Sequence, residues 1–286
     1  GPLFLRSALI DQQTQCRSFD LGDVRVIPHL LHDKYLNEAT ITNCQKALYG
    51  NDNNDHFVSP LSITEDVCDS FYATFHDKGI FGIGGDHSIS YPLTKAYLKA
   101  KREQGKRTAI IHFDAHTDLL VERLGIDLCF GSWCTHILEF LPAPHHLIQF
   151  GIRSSGKPKS HWESTFGVKQ HWAHEIKDIG IEKVIDNILQ QLAQQNIDEL
   201  YVSFDIDAID DSFASATGTP EPNGLMPEEA MQILRAIAAK YPITGADMME
   251  IAPFTDSSGL GVISQEKTLK VAGEISAFLI GEMNKH

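Results

Sequence analysis

The stretch Thr108-Ala-Ile-Ile-His-Phe-Asp-Ala-His-Thr-Asp118 joins an apolar run to three polar residues spaced two apart. The run 108–113 is of the kind that is buried on both faces of a parallel sheet. In extended backbone, residues two apart point to the same side, so Asp114, His116 and Asp118 can converge on one spot. The motif alone also suits a solvated loop. We interpret it as a buried strand that carries a candidate metal-binding cluster at its carboxyl end.

A second segment of the same design, Ser203-Phe-Asp-Ile-Asp207, follows another apolar run. Two further predicted strands, 80–83 and 243–249, end shortly before His87 and Glu250. In parallel sheets, ligands bind beyond the carboxyl ends of the strands. The sequence therefore predicts one candidate site, at one edge of the sheet, to which four strands contribute.

Helical patterns alternate with strands along the chain. We predict helices over 90–101, 181–194, 227–240 and 265–283, and further strands over 24–27 and 146–152. Such alternation is typical of an α/β fold with a mainly parallel central sheet and helices on both faces. The sequence shows no linker, repeat or low-complexity segment, so we predict a single domain over residues 1–286.

The bulk composition is that of an ordinary globular protein, with 42% hydrophobic and 22% charged residues. The net charge of −14 argues against a nucleic-acid binder, which needs a concentrated basic surface, and suits a cationic substrate. The five cysteines are odd in number and show no CxxC spacing, which favours a reducing compartment and a cytoplasmic location. No apolar run approaches the roughly 20 residues of a membrane span, and no signal peptide is recognisable, so we expect no membrane partner.

The candidate metal ligands are four aspartates and two histidines, namely His87, Asp114, His116, Asp118, Asp205 and Asp207. Four clustered carboxylates without cations would repel one another, so two divalent ions bridged by carboxylates fit better than one. Mixed Asp and His ligation suits Mn²⁺, although ligand type does not exclude Zn²⁺, Co²⁺ or Ni²⁺. Two ions about 3.5–4 Å apart can hold a shared water, lower its pKa and present hydroxide to an electrophilic atom. The cluster therefore predicts hydrolysis at a binuclear metal centre.

Three neighbouring residues have simpler interpretations. Asp86 suits a helix-start acid or a partner of a ligand at least as well as a ligand. His112 lies inside a strand, where we expect it to pack or to form hydrogen bonds in the core. Glu250 stands alone and also suits a plain loop acid.

Four motifs, taken in order, resemble those of the arginase/agmatinase (ureohydrolase) family. They are Gly84-Gly-Asp-His-Ser88, Phe113-Asp-Ala-His-Thr-Asp118, Ser203-Phe-Asp-Ile-Asp-Ala-Ile-Asp210 with Thr217-Gly-Thr-Pro220, and Met249-Glu-Ile-Ala-Pro253. The resemblance extends over nearly the whole chain and is closest to agmatinase-like members. Gly1-Pro-Leu-Phe-Leu-Arg6 also resembles a family segment, which implies that a first family strand would precede Gly1.

The resemblance implies a three-layer arginase-like fold with two Mn²⁺ ions per chain, which hydrolyses a C–N bond of a linear amidine or guanidinium and usually releases urea. One ion would be bound by His87, Asp114, Asp118 and Asp205, and the other by Asp114, His116, Asp205 and Asp207, so that Asp114 and Asp205 would be shared. Asp118 would also orient the bridging hydroxide, and Glu250 would accept hydrogen bonds from the guanidinium of the substrate. The resemblance further implies a homo-oligomer, a trimer or a hexamer.

The residues after the first metal motif bear on the substrate. Arginases carry an Asn two residues after Asp-Ala-His-x-Asp, where it helps to hold the α-amino acid end of arginine, but this chain has Leu120. The segments Gly151-Ile-Arg153 and 249–253 are agmatinase-like as well. The expected substrate is therefore a small cationic guanidino compound, agmatine-like in charge, without an α-carboxylate.

One position departs from the family pattern. Agmatinases and arginases place a His directly before a Gly in this loop, where it relays protons, but this chain has Phe130 before Gly131. His136 is the candidate to replace it as a catalytic residue. Loss of the usual His should impair protonation of the leaving group, although the metals would still generate the nucleophile. Phe130 and Trp133 would make the pocket mouth more apolar and offer cation–π faces to a guanidinium.

Two alternatives stay open. A formiminoglutamase-type or other amidine hydrolase of the same fold would require a basic pocket for its acidic substrate, and Arg153 is the only obvious cation at a strand end. A metal-bound, non-catalytic homologue is suggested by Phe130. The complete ligand set argues against this second alternative, because a chain released from catalysis has little reason to keep six ligands.

Overall fold

The computed structural model describes residues 1–11, 18–50, 55–253 and 262–286. Its centre is a six-stranded sheet made of β1 (Phe81–Ile83), β2 (Thr108–Phe113), β3 (Leu147–Phe150), β4 (Lys169–His171), β5 (Glu199–Asp205) and β6 (Ile243–Met249). Across the sheet the order is β1-β6-β5-β2-β3-β4, and every neighbouring pair is parallel. The predicted parallel central sheet is confirmed.

Helices cover both faces of this sheet. In the described residues they are α1 (Pro2–Asp11), α2 (Glu38–Tyr49), α3 (Pro60–Thr74), α4 (Ser90–Glu103), α5 (Trp133–Ile137), α6 (Lys159–Phe166), α7 (Ala173–Ile179), α8 (Ile181–Gln194), α9 (Pro227–Ala238) and α10 (Val262–Met283). Short 3-10 turns follow β1 and β5, at His87–Ile89 and Ile206–Ala208.

Alternate residues of β2 pack into two separate hydrophobic clusters. Ile111 and Phe113 join side chains of α1, α8, α9 and α10 on one face of the sheet. Ile110, between them, joins side chains of α3, α4 and α5 on the other face. Because both faces are covered, every residue of β2 and β5 is buried, which explains the continuous apolar runs in the sequence. The three-layer α/β fold is confirmed.

The predicted strand over 24–27 is wrong. These residues have no regular structure and pair with none of the described strands, and the Val24 side chain is 37% exposed. The segment is largely apolar, but a stable strand also needs a neighbouring strand that supplies hydrogen bonds and a hydrophobic surface against which it can pack.

The sheet order explains why the predicted site residues meet. β1, β6, β5 and β2 are consecutive neighbours in the sheet. His87 follows β1, Glu250 follows β6, and the two Asp-containing motifs lie at the carboxyl ends of β5 and β2. All of them therefore lie at one edge of the sheet, as predicted.

Two features bear on the expected compartment. None of the helices in the described ranges is long and apolar enough to cross a bilayer. In the same ranges, Cys44, Cys68, Cys129 and Cys134 form no disulfide. The cytoplasmic location stays a prediction.

Candidate metal centre and active site

The turn that follows β2 is anchored to the neighbouring strand. The Asp114 amide donates to the Phe150 carbonyl at 3.0 Å, and the Ala115 carbonyl accepts from the Arg153 amide at 2.9 Å. The Ala115 amide donates to Asp207 Oδ1 at 3.0 Å, which joins this turn to the turn after β5. The ends of three neighbouring strands thus fix the backbone of the site.

Two predicted site residues have left-handed backbone. Asp118 has a φ of 50° and Glu250 a φ of 62°. Such conformations cost a non-glycine residue on the order of 1–3 kcal/mol, and they collect at functional sites. The Glu250 amide donates to the Gly85 carbonyl at 2.9 Å, so the end of β6 is tied to the turn after β1. Next to that turn, a Cβ on Gly84 would lie 1.9 Å from Met249 Sδ, so any other residue there would force the buried Met249 side chain to move.

The first ligand cluster surrounds Nδ1 of His87. This nitrogen lies 3.1 Å from Asp114 Oδ2, 3.3 Å from Asp118 Oδ2 and 3.1 Å from Asp205 Oδ2. All four side chains are buried, and none of these contacts has the geometry of a hydrogen bond to Nδ1. A buried nitrogen that faces three carboxylate oxygens without a hydrogen bond fits a divalent cation.

The second cluster surrounds Nδ1 of His116. This nitrogen lies 3.3 Å from Asp114 Oδ1 and 3.1 Å from Asp207 Oδ2. Asp114 therefore offers one carboxylate oxygen to each cluster, which is the geometry of a bridging ligand. Asp205 differs, because its Oδ1 accepts from the Asp207 amide at 2.8 Å. Its role as a second shared ligand stays a prediction.

The charges of the site also fit divalent cations. Burial raises the pKa of Asp118 and of Asp205 well above the ordinary value, and the nearby Asp114 carboxylate adds to both shifts. Burial acts on Asp114 as well, but hydrogen bonds with His112 and His116 outweigh it and lower its pKa. Crowded, buried carboxylates of this kind are stabilised in their charged form by a bound cation.

A buried aspartate behind the site orients His87. Ser203 Oγ lies 3.0 Å from His87 Nε2 and donates to Asp247 Oδ1 at 2.8 Å. The Tyr201 and Ser90 hydroxyls both donate to Asp247 Oδ2, at 2.7 and 2.9 Å. Burial raises the pKa of Asp247. Sequence reasoning missed this residue, although a carboxylate inside an apolar strand was a signal.

A chain of hydrogen bonds also supports Asp114. Trp172 Nε1 donates to Gln170 Oε1 at 2.9 Å, and Gln170 Nε2 donates to Gln149 Oε1 at 2.7 Å. Gln149 Nε2 lies 2.8 Å from His112 Nδ1, and His112 Nε2 lies 3.0 Å from Asp114 Oδ2. An indole can only donate, so the direction of the chain is set, and His112 carries its proton on Nε2. The prediction that His112 forms hydrogen bonds in the core is confirmed.

Trp133 has a different place from the one expected. Its side chain is fully buried rather than at the pocket mouth, and Nε1 donates to Asp118 Oδ2 at 2.8 Å. Its ring lies 5.0 Å from the ring of His87. Trp133 is therefore a partner of a candidate ligand, and of the two aromatic residues only Phe130, 38% exposed, lines the cavity.

A cavity of about 320 Å³ opens above the two clusters. It contains five of the predicted ligands, His87, Asp114, His116, Asp118 and Asp205, together with Glu250. Glu250 Oε1 accepts from the His87 amide at 2.9 Å, and burial raises the pKa of Glu250 to about 7. Asp86 caps the turn into His87 by accepting from the Ser88 amide at 2.9 Å, in line with its interpretation as a helix-start acid.

Like Asp207 and Trp133, the residues His136 and Arg153 lie outside the cavity lining. His136 Nε2 is bonded to the Asp127 carbonyl at 2.9 Å, a position that gives its predicted catalytic role no support. The Arg153 guanidinium donates to the carbonyls of Asp207 and Glu221, both at 2.7 Å. It therefore stabilises the loop that carries the candidate metal ligand Asp207 instead of facing a substrate. Arg123, which sequence reasoning missed, lines the cavity.

Comparisons with known proteins bear on the family to which this chain belongs. The model of the Arginase family matches residues 2–280. The chain is 37% identical over 201 residues to proclavaminate amidinohydrolase of Streptomyces clavuligerus, covering 69% of this chain and 59% of that protein. It is 32% identical over 213 residues to an agmatinase of Bacillus subtilis, covering 73% of this chain and 66% of that protein. The match thus spans less than two thirds of the length of either curated relative.

The fold is also that of solved members of the family. The structure of arginase from Bacillus subtilis superposes with a TM-score of 0.72 over 98% of this chain and 91% of that one, at 23% identity. At this identity the likeness concerns the fold alone. The family match over nearly the whole chain, together with the buried His and Asp clusters, leads to one conclusion: the chain belongs to the arginase family.

Proposed function

We propose that this protein is a hydrolase with two divalent metal ions, Mn²⁺ being the expected ion, and that it cleaves a C–N bond of a small guanidino compound and releases urea. One observation carries the proposal. The two carboxylate oxygens of Asp114 face two separate His and Asp clusters on the floor of one cavity. When bound there, a pair of divalent ions supplies a water of lowered pKa as the nucleophile.

The side chains of the cavity would carry out the remaining steps. Asp118 Oδ2 is held by the Trp133 indole, and Asp118 Oδ1 has no hydrogen-bond partner within the described residues. That oxygen would accept the hydrogen bond that orients the nucleophile. Glu250 would pair with the guanidinium and place its carbon over the nucleophile, a charge-assisted contact.

Water is the only co-reactant that the reaction needs. The oxygen of the water adds to the guanidinium carbon, and the bond from that carbon to the alkylated nitrogen breaks. A proton passes to the departing amine. The products are urea and an amine. Phe130 has no group that can donate this proton, so the proton would come from Asp118 or from solvent.

The curated relatives support the reaction class more than the substrate. One is named an agmatinase and the other a proclavaminate amidinohydrolase. The name of the second denotes hydrolysis of an amidino group, and the two names refer to different substrates. The agmatine-like substrate, the trimer or hexamer and the identity of the ion stay predictions.

Turnover of a substrate panel tests the proposal. The protein is loaded with Mn²⁺ and incubated with agmatine, 4-guanidinobutyrate, 3-guanidinopropionate, arginine and N-formiminoglutamate, while urea, ammonia and formamide are measured. We expect urea from at least one guanidino compound. Two ions bound per chain with no turnover of any guanidino compound would refute the proposal, and formamide release alone would assign the formiminoglutamase-type alternative.

A further inference from the structure

We propose that Arg123 recognises a single carboxylate at the far end of the substrate, so that the guanidino compound is a short ω-guanidino acid instead of agmatine. The inference rests on the proposed function, because it specifies the tail of the same substrate. It replaces the agmatine-like charge that the sequence favours.

The cavity lining combines buried carboxylates with an exposed arginine. Its buried floor carries carboxylates, at Asp114, Asp118 and Asp205, with Glu250 close by. Among the described residues that line it, Arg123 is the one Lys or Arg, and it is solvent-exposed. A ligand that reaches from the floor to Arg123 therefore meets negative charge first and positive charge last. The complementary molecule carries a cation at one end and an anion at the other.

The backbone around Arg123 forms a tight turn. The Arg123 amide donates to the Ile126 carbonyl at 2.8 Å, and the Ile126 amide donates back to the Arg123 carbonyl at 3.0 Å. The two residues between them, Leu124 and Gly125, have φ values of 54° and 80°. Positive φ at both central positions is typical of a two-residue hairpin turn, in which a leucine is strained. The Leu124 side chain is 95% exposed, so no burial compensates this strain.

The Arg123 guanidinium is held over an aromatic ring. Its central carbon lies 4.6 Å from the centre of the Phe130 ring. In the part of the chain that the structure describes, no acidic side chain forms an ion pair with it. A guanidinium in a cation–π contact of this kind keeps N–H groups available for two parallel hydrogen bonds to a carboxylate.

Part of the cavity wall beside Arg123 is apolar, although Ser154, Ser155 and Thr219 also line the cavity. Leu120 and Phe130 line the cavity beside Arg123 and offer a surface to a short methylene chain. Glu250 at the floor, this wall and the exposed Arg123 would then match the guanidinium, the chain and the carboxylate of an ω-guanidino acid. One cation suits one carboxylate, so N-formiminoglutamate, which carries two, fits less well.

A rival recognition uses Asp86, an exposed acid that also lines the cavity and would attract the ammonium group of agmatine. Its Oδ1 already accepts from the Ser88 amide and the Ser88 hydroxyl. The substitution Asp86→Asn removes the charge and keeps a capping side chain. This variant therefore distinguishes recognition of a carboxylate by Arg123 from recognition of an ammonium group by Asp86.

The test compares two guanidino compounds that differ in their end group, a carboxylate or an ammonium, and uses the full chain loaded with Mn²⁺. Calorimetry gives the Kd of 4-guanidinobutyrate and of agmatine, and urea release gives kcat/KM for both. We expect tighter binding of the acid by the unaltered protein. Arg123→Ala should weaken acid binding by about tenfold to hundredfold and leave agmatine nearly unchanged. Arg123→Lys should restore part of the preference, and Arg123→Glu should reverse it.

Two controls complete the test. Asp86→Asn should keep the preference for the acid. Arg235→Ala, which removes an exposed arginine that pairs with Glu228 on α9, should change neither Kd. Tighter binding of agmatine, binding of neither compound, or an equal loss for both in Arg123→Ala would overturn the inference. Selective binding of the acid without urea release would refute the proposed hydrolysis and leave the recognition by Arg123 standing.

Discussion

The Trp133 indole nitrogen donates a hydrogen bond to Asp118 Oδ2 at 2.8 Å, and both side chains are buried. This bond fixes a carboxylate whose backbone already has a strained φ of 50°. Trp133→Phe keeps an aromatic ring and removes the donor. We expect kcat to fall about tenfold or more with KM little changed, because Asp118 would lose the orientation its role requires.

Measurements of metal content and of stability distinguish a loss of Asp118 orientation from a loss of packing around Trp133. The variant should still bind two ions per chain, and urea denaturation should show a loss of about 1–3 kcal/mol for the unpaired buried acceptor. A loss of stability with unchanged kcat would mean that Trp133 only fills space.

The two-sided placement of Asp114 predicts the metal stoichiometry of two conservative variants. Asp114→Asn removes the charge from the side chain that faces both His87 and His116, so we expect less than one ion per chain after gel filtration. Asp207→Asn affects the His116 cluster alone and should keep about one ion. Elemental analysis measures both. Two ions retained in Asp114→Asn would exclude a bridging role.

Asp205 is the ligand on which sequence and geometry differ most. The family resemblance implies a shared ligand, but only Oδ2 of Asp205 lies near a histidine nitrogen, that of His87. If the residue is shared, Asp205→Ala loses both ions. Loss of a single ion would assign Asp205 to the His87 cluster alone, and retention of both would remove it from the ligand set.

Much of the fold was predictable because its strands are buried on both faces. The bounds of β2, α8 and β6 agree with the predicted ones, since each run has one unbroken apolar or amphipathic pattern. The sheet order was not predictable, because the position of β6 between β1 and β5 depends on contacts between residues far apart in sequence. Periodicity also favoured a strand over 24–27, where no partner strand exists in the described chain.

Some residues of the candidate site were likewise predictable from the sequence, and others were not. Ligands with regular spacing, such as Asp114 and His116, were visible in the sequence because the spacing itself carries the chemistry. The left-handed backbone of Asp118 and the position of Arg123 were not visible. No residue spacing signals a left-handed backbone at an aspartate, and a single cation in a loop has no period.

The hydrogen-bond chain behind Asp114 predicts graded effects along its length. Gln149→Leu keeps the volume but leaves Gln170, His112 and the Thr117 carbonyl without their partner. We expect a loss of about 2–5 kcal/mol in the free energy of unfolding and weaker Mn²⁺ binding, since His112 would no longer be held against Asp114. Calorimetric titration of Mn²⁺ and urea denaturation measure the two effects.

The first link of that chain provides the matched comparison. Trp172→Phe removes one donor at the half-buried end, so its cost should be about 1 kcal/mol, with a smaller change in Mn²⁺ affinity. An equal effect of the two substitutions on Mn²⁺ binding would argue that packing, and not the direction of the hydrogen bonds, supports Asp114.

Glu199 offers a pH-dependent test of the fold that is remote from the metal clusters. Its carboxylate lies 2.5 Å from the buried Lys101 ammonium and accepts from the Thr244 hydroxyl at 2.7 Å. Burial opposes the charged form, but these contacts outweigh burial and lower the pKa of Glu199 below its ordinary 4.5. A lowered pKa in the folded state means that the ion pair stabilises the protein above pH 4.5, and that this contribution is lost as the pH falls through the folded-state value.

Glu199→Gln should therefore be destabilised most at neutral pH. Removal of one partner leaves the Lys101 charge buried and unpaired, which costs about 3–5 kcal/mol. In urea denaturation the difference from the unaltered protein should stay constant from pH 7 to about 5 and narrow below pH 4.5, as the pH falls through the lowered pKa of Glu199, because protonation then removes the charge of Glu199 in the unaltered protein too. Lys285→Ala, which breaks an ion pair with Glu282 at the end of α10, is the control and should change stability by less than about 1 kcal/mol at every pH. A difference between Glu199→Gln and the unaltered protein that stays constant below pH 4.5, down through the lowered pKa of Glu199, would show that hydrogen bonding, and not the charge of Glu199, stabilises this end of the sheet.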